Sequence, residues 1–234
     1  MALAHSPRIV TDGLVLCLDA GNTKSYPGSG ATWTDLSGNG NNGTLENGVG
    51  FDGGNGGSLS FDGVNDHVII TNASSLIPKF DWSYDCWFNL TTTIDPSYGQ
   101  SFIGNWGING NYGFSDFDLR KSGNNIVFIY YTISNVPQFD IVAVYNFQAN
   151  KWDNLSVTKQ GNTYNFYKNG ELINSITSSL PVYDGTATTL YIGREGNFFS
   201  MYNGKMSSIK IYNRALTASE VQQNFNALRG RYGI

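Results

Sequence analysis

Charge is scarce in this chain: only 14% of its 234 residues are Asp, Glu, Lys or Arg, against roughly 25% in ordinary soluble proteins. Asn, Ser, Thr and Gly must therefore solvate the surface, a composition seen in extracellular and virion proteins and in carbohydrate binders. The net charge of −4 and a pI near 5.0 come with no run of Lys or Arg, which excludes a nucleic-acid role because phosphate binding needs clustered cations. No stretch approaches the roughly 18 apolar residues of a membrane span. Residues 1–11 lack the apolar core of a signal peptide, so the expectation is synthesis in a cytoplasm without export by the usual route. The chain has two histidines, His5 and His67, and neither has a Ser, Asp or Cys partner at a spacing that suggests a nucleophilic triad. Glu46, Glu171, Glu195 and Glu220 are isolated from one another. Cys17 and Cys86 both fall in apolar strand patterns and read as two buried thiols, with a disulfide as the alternative. The N-x-S/T sequons at Asn42, Asn72, Asn89 and Asn154 are no more than chance gives so Asn-, Ser- and Thr-rich a chain.

Short strand patterns fill most of the sequence. In Trp82-Ser83-Tyr84-Asp85-Cys86-Trp87-Phe88 the even positions are apolar or aromatic and the odd ones mostly polar, which predicts a strand with one buried face. Asn169-Gly170 predicts a two-residue type I′ turn between Tyr164–Lys168 and Glu171–Ile176. One helix is expected: Thr217 and Glu220 form a T-x-x-E capping box, Val221, Phe225 and Leu228 make one apolar face, and Gly230 closes it. Gly38–Gly57 and Asp95–Gly113 read as long Gly- and Asn-rich loops. Residues 1–12 lack strand alternation and read as an arm, leaving 13–234 as one domain, a size usual for a single all-β sandwich.

Several segments, in order, resemble laminin G-type, concanavalin A-like jelly rolls. They are Gly13–Gly21, Phe61-Asp62-Gly63-Val64-Asn65-Asp66-His67-Val68, Phe80–Phe88, Lys151–Thr158, Tyr164–Gly170, Leu190–Arg194 and Ile209–Val221. The resemblance implies an all-β fold, a two-sheet antiparallel β-sandwich with one short C-terminal helix. The opening phrase His5–Leu14, with Asp19–Asn22 and Ser25–Gly30, is similar to laminin G-like virion proteins of tailed bacteriophages, especially of marine or cyanophage type.

Three groups of residues are candidates for chemistry. Trp106 flanked by Asn105 and Asn109, with Tyr98 and Tyr112 in the same loop, offers an aromatic platform beside amides, as a sugar site needs. Phe198, Phe199 and Tyr202 in a Gly- and Asn-rich turn suit a subunit interface. Asp62, Asn65 and Asp66 could supply calcium oxygens. The acidic pair that relatives place before the final strand is replaced here by Ser207 and Ser208, and this low ligand count favours an Asx-type hairpin. No cofactor is expected, with calcium at this turn as the one alternative. The E-x-D-x-x-E strand of laminarinase-type hydrolases is missing, and Asp116-x-Asp118 lacks a third acid.

These features together give the expectation of a non-enzymatic phage virion protein, a capsid decoration or tail-associated adhesin located in the virion. Its partners would be other virion proteins through the N-terminal arm, further copies of itself, and a host polysaccharide, with no nucleic acid and no membrane insertion. The alternatives are a free-standing carbohydrate-binding module and a polysaccharide hydrolase.

Overall fold

A computed structural model describes residues 7–76, 80–91, 100–104, 116–120, 125–131, 137–144, 148–178, 188–194 and 201–234. The strands are β1 (Leu14–Asp19), β2 (Thr32–Trp33), β3 (Gly43–Glu46), β4 (Gly50–Asp52), β5 (Ser58–Asp62), β6 (His67–Thr71), β7 (Trp82–Leu90) and β8 (Gln100–Gly104). They continue as β9 (Asp116–Arg120), β10 (Asn125–Tyr131), β11 (Pro137–Val144), β12 (Trp152–Gln160), β13 (Thr163–Lys168), β14 (Glu171–Thr177), β15 (Thr189–Ile192) and β16 (Asn203–Tyr212). One helix follows, α1 (Ala218–Leu228). All strand pairings are antiparallel, and they form two sheets. The first runs β14-β13-β12-β7-β16-β5-β4 with β1 also on β16; the second runs β11-β10-β9-β8-β15-β6-β3-β2. The fold is thus the β-sandwich with a short C-terminal helix that the sequence motifs imply.

The main core lies between the sheets. Leu16 and Leu18 of β1, Tyr84, Cys86 and Phe88 of β7, Val157 of β12, Ile209 of β16 and Val68 and Ile70 of β6 all point into it. Their alternate positions in each strand explain why the period-2 pattern was readable. The Asn169-Gly170 turn joins β13 to β14 with φ of 51° and 80°, the positive values a type I′ turn requires.

Three features differ from the sequence expectation. First, β3, β4 and a 3-10 turn at Gly54–Gly56 occupy the predicted loop Gly38–Gly57. Glycine hides a strand here because the chains approach closely: a Cβ on Gly43 would meet Val68 Cγ1 at 2.5 Å. Second, β7 is buried on both faces, with only Asn89 half-exposed. Its outward residues lie under the C-terminal segment: Trp87 packs with Phe225, Leu228 and Tyr232, and Ser83 Oγ donates to Arg214 O (2.9 Å) while accepting from Leu216 N–H (2.8 Å).

Third, the described part of the arm, residues 7–12, docks on the chain's own helix and first sheet rather than standing apart from the domain. Val10 is buried with Tyr212, Leu216 and Val221. Its N–H donates to Asn224 Oδ1 at 2.8 Å, and its carbonyl accepts from Tyr212 OH at 3.0 Å. Gln223 Nε2 donates to Arg8 O at 2.7 Å. The helix face that covers the first sheet thereby also supplies the arm's docking groups. The helix starts as its capping box predicts: Glu220 N–H donates to Thr217 Oγ1, and Thr217 N–H donates to Glu220 Oε2. Arg214, at 2.6 and 3.0 Å from the same carboxylate, holds the Glu220 carboxyl down at about 2, against an ordinary 4.5.

The covered face of the first sheet holds a charged pair. Lys210 Nζ lies 2.7 Å from Asp85 Oδ1, and their side chains are 1% and 0% exposed. Asp85 Oδ2 accepts from Ser156 Oγ (2.8 Å) and Asn154 Nδ2 (3.0 Å). Burial alone would lower the Lys210 pKa, but the neighbouring Asp85 more than offsets it and keeps the ammonium charged. Both cysteines are free and buried, and burial pushes the Cys17 thiol up to about 11, so both are inert thiols at neutral pH.

Candidate functional site

Of the residues proposed for sugar contact, Tyr98, Asn105, Trp106, Asn109 and Tyr112 lie outside the described residues, as do Phe198 and Phe199. Tyr202 is described, and it corrects the interface expectation. It is fully buried, meets Phe61 edge-on at 5.7 Å and lies 5.3 Å from Phe102. Its hydroxyl donates to the carbonyls of Lys205 and Asn89. The alternation of β16 begins just beyond it, and that register turns the ring inward to the core.

Asp62, Asn65 and Asp66 do come together, in the turn between β5 and β6. Asp62 Oδ1 accepts from Val64 N–H (2.8 Å) and Asn65 N–H (3.3 Å), while Asp66 Oδ2 accepts from Asp62 N–H (3.0 Å). These backbone donors lower the Asp62 pKa, whereas burial raises that of Asp66. Among the described residues no group of three His, Cys, Asp or Glu is placed to hold a metal ion. His67 is buried beside this turn. Its Nδ1 faces the Asn65 carbonyl at 2.7 Å and so carries the proton. Burial lowers its pKa, which keeps the ring neutral at pH 7.

A cleft of about 500 Å³ opens elsewhere, on the covered face of the first sheet. Its walls are the start of β12, the β13–β14 turn and the segment after α1. Trp152 is its half-buried aromatic surface. The indole N–H donates to Asn55 Oδ1 (3.2 Å), and the ring lies 4.7 Å from that of Tyr232. Tyr232 stacks on Trp87 at 4.1 Å, and Trp87 stacks on Phe225 at 5.5 Å. The Tyr232 hydroxyl donates to Ser207 Oγ at 2.8 Å. Four rings in series, two stacked pairs and one tilted pair, therefore hold the outermost one, since aromatic pairs add to simple area burial.

The polar groups of the cleft are equally well anchored. Asn169, at the β13–β14 turn, accepts from Asn154 N–H (2.8 Å) and donates Nδ2–H to Asp153 Oδ1 (3.0 Å). Lys168 Nζ sits 3.2 Å from Asp153 Oδ2. Burial pushes the Asp153 carboxyl up, and Lys168 and Asn169 pull it part of the way back. Gln148, Asn150 and Lys151 form the exposed rim. Their turn is held by Lys151 N–H on Gln148 O (3.3 Å) and Asn150 N–H on Leu90 O (2.7 Å).

Sequence reasoning treated Trp152 and Asn169-Gly170 as pieces of strand and turn. The available signal was a Trp in a polar run, Asn150-Lys151-Trp152-Asp153-Asn154, where a buried strand would place apolar neighbours. Chemically, the cleft offers one apolar ring face, amides and an ion pair. Asp153 is the only acidic side chain among the described lining residues, and glycoside hydrolysis needs two carboxyl groups flanking the bond.

The model of the concanavalin A-like lectin/glucanases superfamily (Laminin_G_3) matches residues 61–222. No curated protein matches the chain. Among solved structures, the binding domain of Paraclostridial Mosquitocidal Protein 1 is similar, with a TM-score of 0.72 and 19% identity over 93% of this chain and 52% of that one. The receptor binding domain of botulinum neurotoxin C/D mosaic serotype has a TM-score of 0.72 and 17% identity, over 92% of this chain and 51% of that one. The binding domain of botulinum neurotoxin DC, in complex with SialylT, has a TM-score of 0.70 and 19% identity, over 93% and 52%. This chain spans about half the length of each of these structures, and at such identities the likeness establishes the fold. The family match and the two-sheet architecture agree: the chain belongs to the concanavalin A-like lectin/glucanase superfamily.

Proposed function

We propose that the chain is a non-enzymatic, lectin-like module that binds a glycan in the Trp152 cleft. The observation that carries this reading is the anchored Trp152 face beside the amides of Asn150 and Asn169 and the Asp153–Lys168 pair. A sugar has an apolar C–H face and paired hydroxyls, and it is recognised by an aromatic ring flanked by fixed polar groups. A similar structure, the binding domain of botulinum neurotoxin DC, is in complex with SialylT, and this chain corresponds to about half of that structure, so its ligand motivates a glycan panel without placing a site here. Asp153 is the one acidic side chain among the described lining residues, which supports binding without hydrolysis.

The similarity of the N-terminal phrase to laminin G-like virion proteins supports display on a tailed-phage particle, as a capsid decoration or tail-associated adhesin. The test is titration of the purified chain against a panel of soluble oligosaccharides, with reducing-end assays run in parallel. Binding should occur without release of reducing ends and should be lost in Trp152→Ala. Sugar binding that survives Trp152→Ala, or turnover abolished by Asp153→Asn, would overturn the assignment. Mass spectrometry of source particles tests the virion location, which fails if the chain is missing from purified particles.

A further inference from the structure

We propose that Asn55 is a positioning residue of the Trp152 cleft: from outside the cleft, its side-chain amide holds the indole and the C-terminal segment as one wall, so affinity depends on a residue that does not touch the ligand. This rests on the glycan-binding reading of the same cleft and adds the residue that presets its platform. Asn55 is exposed and is not among the residues that line the cleft. Its Oδ1 accepts the Trp152 indole N–H at 3.2 Å, and its Nδ2 donates to Arg231 O at 3.3 Å. Arg231 is fixed in turn, with Nη1 2.7 Å from Asp19 Oδ1 of β1. The next residue, Tyr232, carries the ring that packs against Trp152. One amide thus joins three distant segments: the β4–β5 turn, the start of β12 and the segment after α1.

The turn itself does not need this side chain. Asn55 carries the one side chain in Gly53-Gly54-Asn55-Gly56-Gly57, and its φ of 52° is a left-handed value that glycine adopts freely. Both bonds of its amide leave the turn. The turn is bonded a second time to the same wall: Gly57 O accepts from Ser207 Oγ at 2.7 Å, and Ser207 Oγ accepts from the Tyr232 hydroxyl at 2.8 Å. Both rings of the wall are therefore held from this turn, Trp152 by its indole N–H and Tyr232 by its hydroxyl. The indole bond is open to water, so its effect is to select one orientation of a half-buried ring rather than to stabilise the fold. A platform already fixed loses no rotational freedom when a sugar ring seats on it.

The experiment compares the full chain with its Asn55→Gly and Asn55→Asp variants. Glycine keeps the backbone and removes both bonds, whereas aspartate keeps an acceptor for the indole and removes the donor to Arg231 O. The Trp152 indole N–H is followed in proton–nitrogen correlation spectra, where Trp152→Phe identifies its signal. Affinity is measured by calorimetry with cellotetraose, laminaritetraose, chitotetraose and sialyllactose. In Asn55→Gly the indole N–H should exchange faster with solvent while Tm stays close to that of the parent. The sugar that binds the parent should bind this variant about three- to tenfold more weakly, the cost of ordering one freed side chain. Asn55→Asp should restore the slow exchange and most of the affinity. An Asn55→Gly variant that binds as tightly as the parent overturns the inference while leaving glycan binding in place. So does a loss of affinity that comes without faster exchange, that follows a large fall in Tm, or that aspartate does not recover. Failure of every one of these sugars to bind the parent overturns the glycan reading instead, and the exchange data still decide whether Asn55 holds the indole.

Discussion

Lys210 carries its ammonium to a position that is 1% exposed, where Asp85 meets it at 2.7 Å and Ser156 and Asn154 complete the carboxylate's partners. Neighbouring strands set this arrangement: Lys210 of β16 and Ser156 of β12 both lie opposite Asp85 of β7. A buried pair of this kind adds little net stability over an apolar pair, but removing one member strands the other charge. Lys210→Met should therefore destabilise the chain by about 3–5 kcal/mol in urea denaturation. Adding Asp85→Leu should recover most of that loss. A single Lys210→Met variant as stable as the parent would show that the pair does not carry opposite charges in the native state. The same network explains why the Asn154 sequon is not a glycosylation site in the folded chain, because its side chain is fully buried and bonded to Asp85 and the Cys86 carbonyl.

At the level of elements, α1 shields one face of the first sheet and ties down the arm. Asn224 joins the two jobs: its Oδ1 accepts from Val10 N–H, and its Nδ2 donates to Tyr212 OH. Asn224→Ala leaves a buried backbone donor without its partner, for a loss of about 1–3 kcal/mol. Each kcal/mol lowers Tm by about 2–4 °C in a chain of this size. Deleting residues 1–11 should lower Tm as well, because Val10 leaves an apolar cluster with Tyr212 and Val221. Differential scanning calorimetry checks both, and a truncated chain that melts like the parent would show that the arm contributes nothing to the fold. The capping box was legible because it is local, four consecutive residues whose side chains close on their own backbone. The arm's docking was not legible, because Val10 and Asn224 stand 214 residues apart.

For the whole molecule, two added ligands should behave differently. Calcium needs six to eight oxygens, while the Asp62 and Asp66 carboxylates are already bonded to amides of their own turn. Millimolar calcium should leave Tm unchanged, and a rise of several degrees that Asp62→Ala abolishes would show that the turn opens to take the ion. A glycan seated in the cleft should raise Tm with its concentration, since it binds the native state alone. The ring column from Trp152 through Tyr232 to Trp87 places that gain at the junction of the first sheet and the C-terminal segment.

The sequence by itself determined the elements whose cause is local. Period-2 alternation marks β7 and β12, positive φ at Asn169 and Gly170 makes the hairpin turn, and Thr217 with Glu220 starts the helix. Each needs only a few neighbouring residues to satisfy its backbone. The tertiary structure alone decided which faces are covered and where the cleft lies. Trp152 reads as a strand residue until the tilted ring of Tyr232 packs against it and Asn55 takes its N–H. Asp153 carries no local signal of its environment, and the antiparallel register of β12 with β13 brings Lys168 and Asn169 beside it. Contacts between residues so distant in the chain depend on strand order and on the path of α1 across the sheet, and no local pattern records either.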